Sequence, residues 1–235
     1  LARGLGDVYK RQIVDSSAWT EQVVIDVVNS AFDSAGQRCS ALRILCVQED
    51  NAKTLVTMLK GAMQQLIMGN PFILKTDIGP VIDLEAKQTI DQHIQKMRSK
   101  GYPVHQLILN DDATQQAEFN QGTFVAPTLI ELPNLDDLER EVFGPVLHVI
   151  TYKHGEVQQL LERINAKGYG LTMGLHTRID ETINTVVQHA EVGNLYINRN
   201  IVGAVVGVQP FGGEGLSGTG PKAGGPLYLY RLMAD

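Results

Sequence analysis

The chain has 235 residues, 43% of them hydrophobic and 20% charged, with a formal net charge of −6. That length can bury a sizeable core in one large or two modest domains. The acidic balance, with both signs interspersed, argues against nucleic acid or an anionic membrane surface as partner. No apolar run approaches the roughly 20 residues that span a bilayer. Two cysteines, Cys39 and Cys46, are too few for a disulfide framework, so a reducing, cytoplasmic setting is expected.

Leu1–Gln12 carries no clear period and no signal-peptide pattern. Ile13-Val14-Asp15 reads as the end of a buried strand. From Trp19 onward, Val23, Val24, Val27, Val28, Ala31 and Phe32 recur four apart, one face of a helix that stops near Gly36. Ala41–Val47 is a short buried strand. A second helix from Ala52 to Leu66 turns Leu55, Leu59, Ala62, Met63 and Leu66 inward, and Gly69-Asn70-Pro71 ends it. Asp77–Ile82 is extended or turning. A third helix runs from Leu84 to Lys100 with Ala86, Ile90, Ile94 and Met97 on its apolar face, followed by a strand over Val104–Leu109.

Asn110–Gln121 is polar and reads as an exposed loop. Phe124–Leu132 is a strand interrupted by Pro127, hence bulged or at a sheet edge. Strand Leu147–Tyr152, helix Glu156–Ala166, strand Leu171–His176, helix Asp180–Glu191 and strand Leu195–Asn198 follow, and Leu227–Leu232 is strand-like. The alternation predicts an α/β fold with a mostly parallel sheet covered by helices on both faces. Gly203–Gly225 is glycine-rich and loop-like. With no Met at its start, the chain reads as a segment of a longer protein.

The chemistry concentrates in three places. Ser34-Ala35-Gly36-Gln37-Arg38-Cys39-Ser40 sets a thiol after a glycine-containing break between helix and strand. A thiol is the strongest side-chain nucleophile near neutral pH, and a turn with Arg38 beside it is a setting that can raise the thiolate fraction. Taken alone, the stretch also reads as holding a half-buried structural cysteine. Glu141-Val142-Phe143-Gly144-Pro145 presents a carboxylate and a ring on a rigid turn before a strand, a pair suited to bonding a ribose and stacking on a planar ring. Gly213-Glu214-Gly215-Leu216-Ser217-Gly218 fits a dinucleotide fingerprint in letters only, because Pro221 and Pro226 deny it the helix that must follow. His93, His105, His148, His154, His176 and His189 are scattered without metal-ligand spacing, and no serine elbow occurs.

Gly36-Gln37-Arg38-Cys39, Glu141–Pro145 and Pro210-Phe211-Gly212-Gly213 occur in the order and approximate spacing of the aldehyde dehydrogenase superfamily. Ser34–Arg43 and Asn198–Pro226 resemble its L-glutamate γ-semialdehyde dehydrogenase branch, most closely the dehydrogenase domain of the bifunctional proline utilization group. The resemblance implies NAD-dependent oxidation of glutamate γ-semialdehyde to glutamate, with Cys39 attacking the aldehyde and passing through thiohemiacetal and thioacyl intermediates. It implies that the Cys39 backbone N–H is one oxyanion donor, that Glu141 holds the nicotinamide ribose and that Phe143 packs by the nicotinamide. Ser40 with the backbone of Gly203 and Ala204 would bind the substrate α-carboxylate, and Phe211 would pack on its aliphatic part. No metal is implied.

The same resemblance makes 13–220 a fragment of the catalytic domain. It makes 221–235 a segment leading to an arm or strand, with parts of an oligomerisation hairpin, and the parent a homo-oligomer. Leu1–Gln12 departs from the family pattern: it contains no Glu, where members carry a Glu-containing Gly-Gly motif whose Glu is the usual deacylation base. Those residues read as foreign to the family, and the N-terminal dinucleotide-binding domain is missing, so the chain alone is expected to be inactive. Two other readings stay open, an aldehyde dehydrogenase of another specificity and a non-catalytic module of the same fold.

Overall fold

Arg11–Val14 (β1) is the strand on which the computed structural model is built; it describes residues 10–109, 119, 121–218 and 220–233. β1 pairs in parallel with Ile44–Gln48 (β2) on one side and with Thr172–His176 (β7) on the other. Between β1 and β2 runs helix α1, Thr20–Phe32, and after β2 comes α2, Glu49–Met63. Helix α3 spans Leu84–Ser99, capped by the Asp83 side chain, which accepts from the Ala86 N–H at 2.8 Å. Then follow β3 (Val104–Gln106), β4 (Thr128–Glu131), β5 (Val146–Tyr152), helix α4 (Val157–Asn165) and β6 (Tyr169–Gly170). Past β7 lie α5 (Asp180–His189), β8 (Asn194–Ile197), β9 (Glu214–Gly215) and α6 (Tyr228–Met233).

Among the described residues the main sheet has seven strands in the order β3-β4-β5-β2-β1-β7-β8, and β6 pairs with β9 in a separate ribbon. Only the β3–β4 pair of the main sheet is antiparallel. Every residue of β1, β2 and β7 is buried. Successive strand side chains point to opposite faces, so both faces of the sheet are covered, as a sheet with helical crossovers requires. The inward faces of α1 and α2, Val23, Val27 and Phe32 with Leu55, Leu59 and Met63, join Ile13, Leu45 and Val149 in one core.

Several sequence expectations are corrected. Arg11 and Gln12 belong to the central strand rather than to a patternless leader. β4 begins after Pro127 and lies between β3 and β5, so it is internal; the proline precedes the strand and takes the Leu107 N–H on its carbonyl. The 227–232 stretch is the helix α6, not a strand. Its residues are all exposed, and its backbone satisfies itself locally as a helix does. Of the expected 110–121 loop, all but 119 and 121 lies outside the described residues, and Phe119 is buried.

Candidate active site

The chain entering β2 is unusual before it reaches the thiol. Ser34 (φ 55°), Ala35 (φ 52°) and Gly36 (φ 65°) form one left-handed turn directly after α1. Each non-glycine residue there costs about 1–2 kcal/mol, so tertiary contacts must hold the turn. Ala35 is buried in the core. The Gln37 side chain accepts from the Ile82 N–H at 2.8 Å and donates to the Pro80 carbonyl at 3.3 Å, clamping the turn to the segment before α3. Arg38 folds back, its Nε donating to Ser34 Oγ at 3.0 Å. The reversal lifts Cys39 clear of the core: it is exposed, whereas Cys46 on β2 is buried.

Cys39 and Ser40 line a cavity of about 590 Å³ together with Gly203, Ala204 and Phe211; Arg38, Gln209 and Gly224 are also part of its wall. Residues more than 160 positions apart in the sequence thus share one space. Ser30, fully buried on α1, joins the two sides: its carbonyl accepts from Leu42 N at 2.8 Å and its Oγ from Ile201 N at 3.1 Å. Beyond Ile201 the chain turns at Gly203 (φ 76°), a backbone shape that favours glycine. The 205–209 turn closes on itself through Gln209 N to the Val205 carbonyl, and Phe211 and Ala223 exchange two backbone hydrogen bonds of 2.9 Å. The N–H groups of Cys39, Gly203 and Ala204 donate to no acceptor among the described residues.

Glu141 and Phe143 do not line this cavity. They stand beside it, on the loop that enters β5, which packs against the turn before Cys39: a Cβ on Gly36 would meet the Gly144 oxygen at 2.2 Å. Glu141 Oε1 accepts from Lys10 Nζ at 2.5 Å and from Arg43 Nε at 3.3 Å. Phe143 keeps 44% of its surface exposed, with the Arg43 guanidinium 4.8 Å from its ring centroid.

Sequence reasoning missed Ser30, Gln37 and Arg43, whose partners lie far along the chain. It also saw the histidines only as scattered residues without metal-ligand spacing. His93 on α3 and His148 on β5 are instead buried against each other, Nε2 to Nε2 at 2.8 Å, and His148 Nδ1 is 3.1 Å from the Arg43 carbonyl. That carbonyl can only accept, so His148 carries its proton on Nδ1 and accepts at Nε2 from His93. Burial, with the His93 ring beside it, lowers the His148 pKa to about 3; burial and the nearby Arg140 and Lys96 lower that of His93 to about 4. His176 is likewise buried, its Nε2 2.8 Å from Asp26 Oδ2.

A thiol held out of the core at the mouth of a parallel-sheet domain is an arrangement suited to covalent catalysis. Residues 9–234 match the aldehyde dehydrogenase family, and the chain belongs to it. It is 67% identical over 223 residues to the bifunctional protein PutA of Klebsiella aerogenes, covering 95% of this chain and 17% of that protein. A crystal structure of bifunctional proline utilization A superposes with a TM-score of 0.86 at 49% identity, over 94% of this chain and 22% of that one. A 1-pyrroline-5-carboxylate dehydrogenase from Thermus, solved with bound NAD, gives 0.78 at 32% identity over 94% of this chain and 41% of that one.

Proposed function

We propose that this chain carries the nucleophile and the substrate-binding loops of an NAD-dependent dehydrogenase that oxidises glutamate γ-semialdehyde to glutamate, a step of proline catabolism. The observation that carries the reading is the convergence of Cys39, Ser40, Gly203, Ala204 and Phe211 on one cavity. Similarity to the 1-pyrroline-5-carboxylate dehydrogenases and to PutA supports the substrate class.

In this reading the Cys39 thiolate adds to the aldehyde carbon, and the oxygen that becomes negative is met by the Cys39 N–H. Such a donor contributes roughly 3–4 kcal/mol in the transition state. The amides of Gly203 and Ala204 and the Ser40 hydroxyl take the substrate α-carboxylate, while Phe211 covers the methylene carbons. Small residues let backbone N–H groups come that close to an anion. Glu141 suits the nicotinamide ribose and Phe143 the nicotinamide: Glu141 Oε2 accepts no hydrogen bond from the described residues, and Phe143 keeps 44% of its surface exposed. NAD+, when bound, supplies the acceptor for the hydride released from the carbon attached to Cys39. Water then hydrolyses the thioester on Cys39, releasing glutamate and the free thiol.

The chain spans 17% of the Klebsiella relative's length. The general base and the dinucleotide-binding domain are accordingly assigned to parts of the full-length protein beyond residues 10–233. Residues 13–220 are read as the catalytic-domain segment and 221–235, with the exposed α6, as leading toward an arm of a homo-oligomer. Two free cysteines, one exposed, suit a reducing cytoplasm.

The full-length protein carrying this chain should reduce NAD+ with glutamate γ-semialdehyde and fail with the matching aldehyde that lacks the α-carboxylate. Equal turnover of both would assign another specificity. The 235-residue chain alone should be inactive with the same substrate.

A further inference from the structure

Arg43 stands where the two halves of the site meet. It follows Cys39 by four positions, directly before β2, and is fully buried. Its Nε donates to Glu141 Oε1 at 3.3 Å and its Nη1 to the Gly144 carbonyl at 3.1 Å. Its guanidinium carbon lies 4.8 Å from the centroid of the Phe143 ring. One side chain therefore touches Glu141, Phe143 and Gly144. Its backbone is fixed as well, the N–H donating to the Lys10 carbonyl at 3.0 Å and the carbonyl accepting from His148 N at 2.9 Å.

Burying a guanidinium is costly unless its charge is met and its donors are used, and a hydrophobic side chain of similar volume often packs better. What the planar fork adds is direction: it grips a carboxylate, reaches a carbonyl and sits over a ring at once. Here it draws on the Oε1 that Lys10 also occupies, which leaves Oε2 as the atom Glu141 has to offer. It lies over the Phe143 ring, which nevertheless keeps 44% of its surface exposed. Because Arg43 and Cys39 share one short segment, the orientation of the carboxylate and ring is tied to the position of the thiol.

We propose that Arg43 is the positioning residue of the nicotinamide-ribose platform, fixing which Glu141 oxygen and which Phe143 face are presented, in register with Cys39. The proposal rests on the reading of Glu141 and Phe143 as cofactor contacts. It goes beyond that reading by giving Arg43, which touches neither substrate nor cofactor, control over cofactor affinity.

The test uses the full-length protein carrying this chain, with Arg43→Lys, Arg43→Met and Glu141→Ala. Three readouts are taken on each: kcat and KM for NAD+, the NAD+-free hydrolysis of p-nitrophenyl acetate by Cys39, and the thermal midpoint. Both Arg43 variants should raise KM for NAD+ roughly ten- to hundredfold, the range in which loss of an orienting contact is felt. Ester hydrolysis should change little, because the thiol itself stays in place. Lysine keeps the charge but not the fork, so failure of Arg43→Lys to restore KM separates geometry from charge. An unchanged KM for NAD+ in both variants overturns the proposal. So does a parallel fall in ester hydrolysis, or failure of both variants to fold, since either makes Arg43 a structural residue only. If Glu141→Ala raises KM for NAD+ while the Arg43 variants do not, the positioning role alone fails. If Glu141→Ala leaves KM unchanged, the cofactor platform itself is wrong.

Discussion

The Gly144 carbonyl lies against Gly36 so closely that a Cβ on Gly36 would stand 2.2 Å from its oxygen and 2.8 Å from the Ala31 oxygen. Gly36 is also in the left-handed region at φ 65°. Two independent demands therefore fall on one position, a backbone shape that favours glycine and a gap that admits no side chain. Gly36→Ala should destabilise the fold by about 2–5 kcal/mol, the sum of left-handed strain and overpacking. Denaturant unfolding beside the unchanged chain measures it, and a loss under 1 kcal/mol would mean that the 141–145 loop yields easily.

The two thiols should behave differently. Cys46 is buried between β1 and β5, and burial pushes its thiol up to about 12, whereas Cys39 is exposed. Iodoacetamide at neutral pH should label Cys39 and leave Cys46 unmodified until the chain is unfolded. Peptide mapping after a timed reaction reads this directly. Equal labelling in the native state would contradict the placement of both.

Acid should weaken the fold through His93 and His148. Both are held below the ordinary histidine value of 6.5, His93 to about 4 and His148 to about 3. The unfolded chain binds these protons first, so their contribution to stability is fully present above pH 6.5 and is lost as pH falls from there toward 4 and below. The urea midpoint should therefore drop between pH 7 and pH 4.5, and a His93→Gln, His148→Gln double variant should flatten that drop.

Ser40 is buried and lines the cavity, yet its hydroxyl bonds to no described residue. If it serves the substrate carboxylate, Ser40→Ala should raise KM for the semialdehyde about tenfold or more, as expected for a hydrogen bond to a charged group, with kcat less affected. A fall in kcat alone would place the serine in the chemistry instead.

Local pattern was enough for much of the architecture. The four-residue recurrence of Val23, Val27 and Ala31 marked α1, and runs such as Ile44–Val47 marked strands buried on both faces. The thiol, the Glu141–Phe143 platform and the Gly203 loop were legible as types of residue in types of turn. What could not be read locally depends on distant partners. Nothing in Ser34-Ala35 announces a left-handed turn, because Gln37 reaching Ile82 and Pro80 holds it. The Leu-Tyr-Leu-Tyr alternation after Pro226 looks like a strand, yet Tyr228–Met233 is the exposed helix α6, with no buried face to mark its period. Arg43 reads as a charge at a strand border until Glu141, 98 positions later, is placed against it. His93 and His148 likewise meet only through the packing of α3 on β5.

The most direct test of the whole account is NAD+ reduction with glutamate γ-semialdehyde by the full-length protein carrying Cys39→Ala. With the fold intact by circular dichroism, kcat should fall by at least about three orders of magnitude, the scale seen when a covalent nucleophile is removed. Turnover within an order of magnitude of the unaltered protein would show that Cys39 is not the nucleophile.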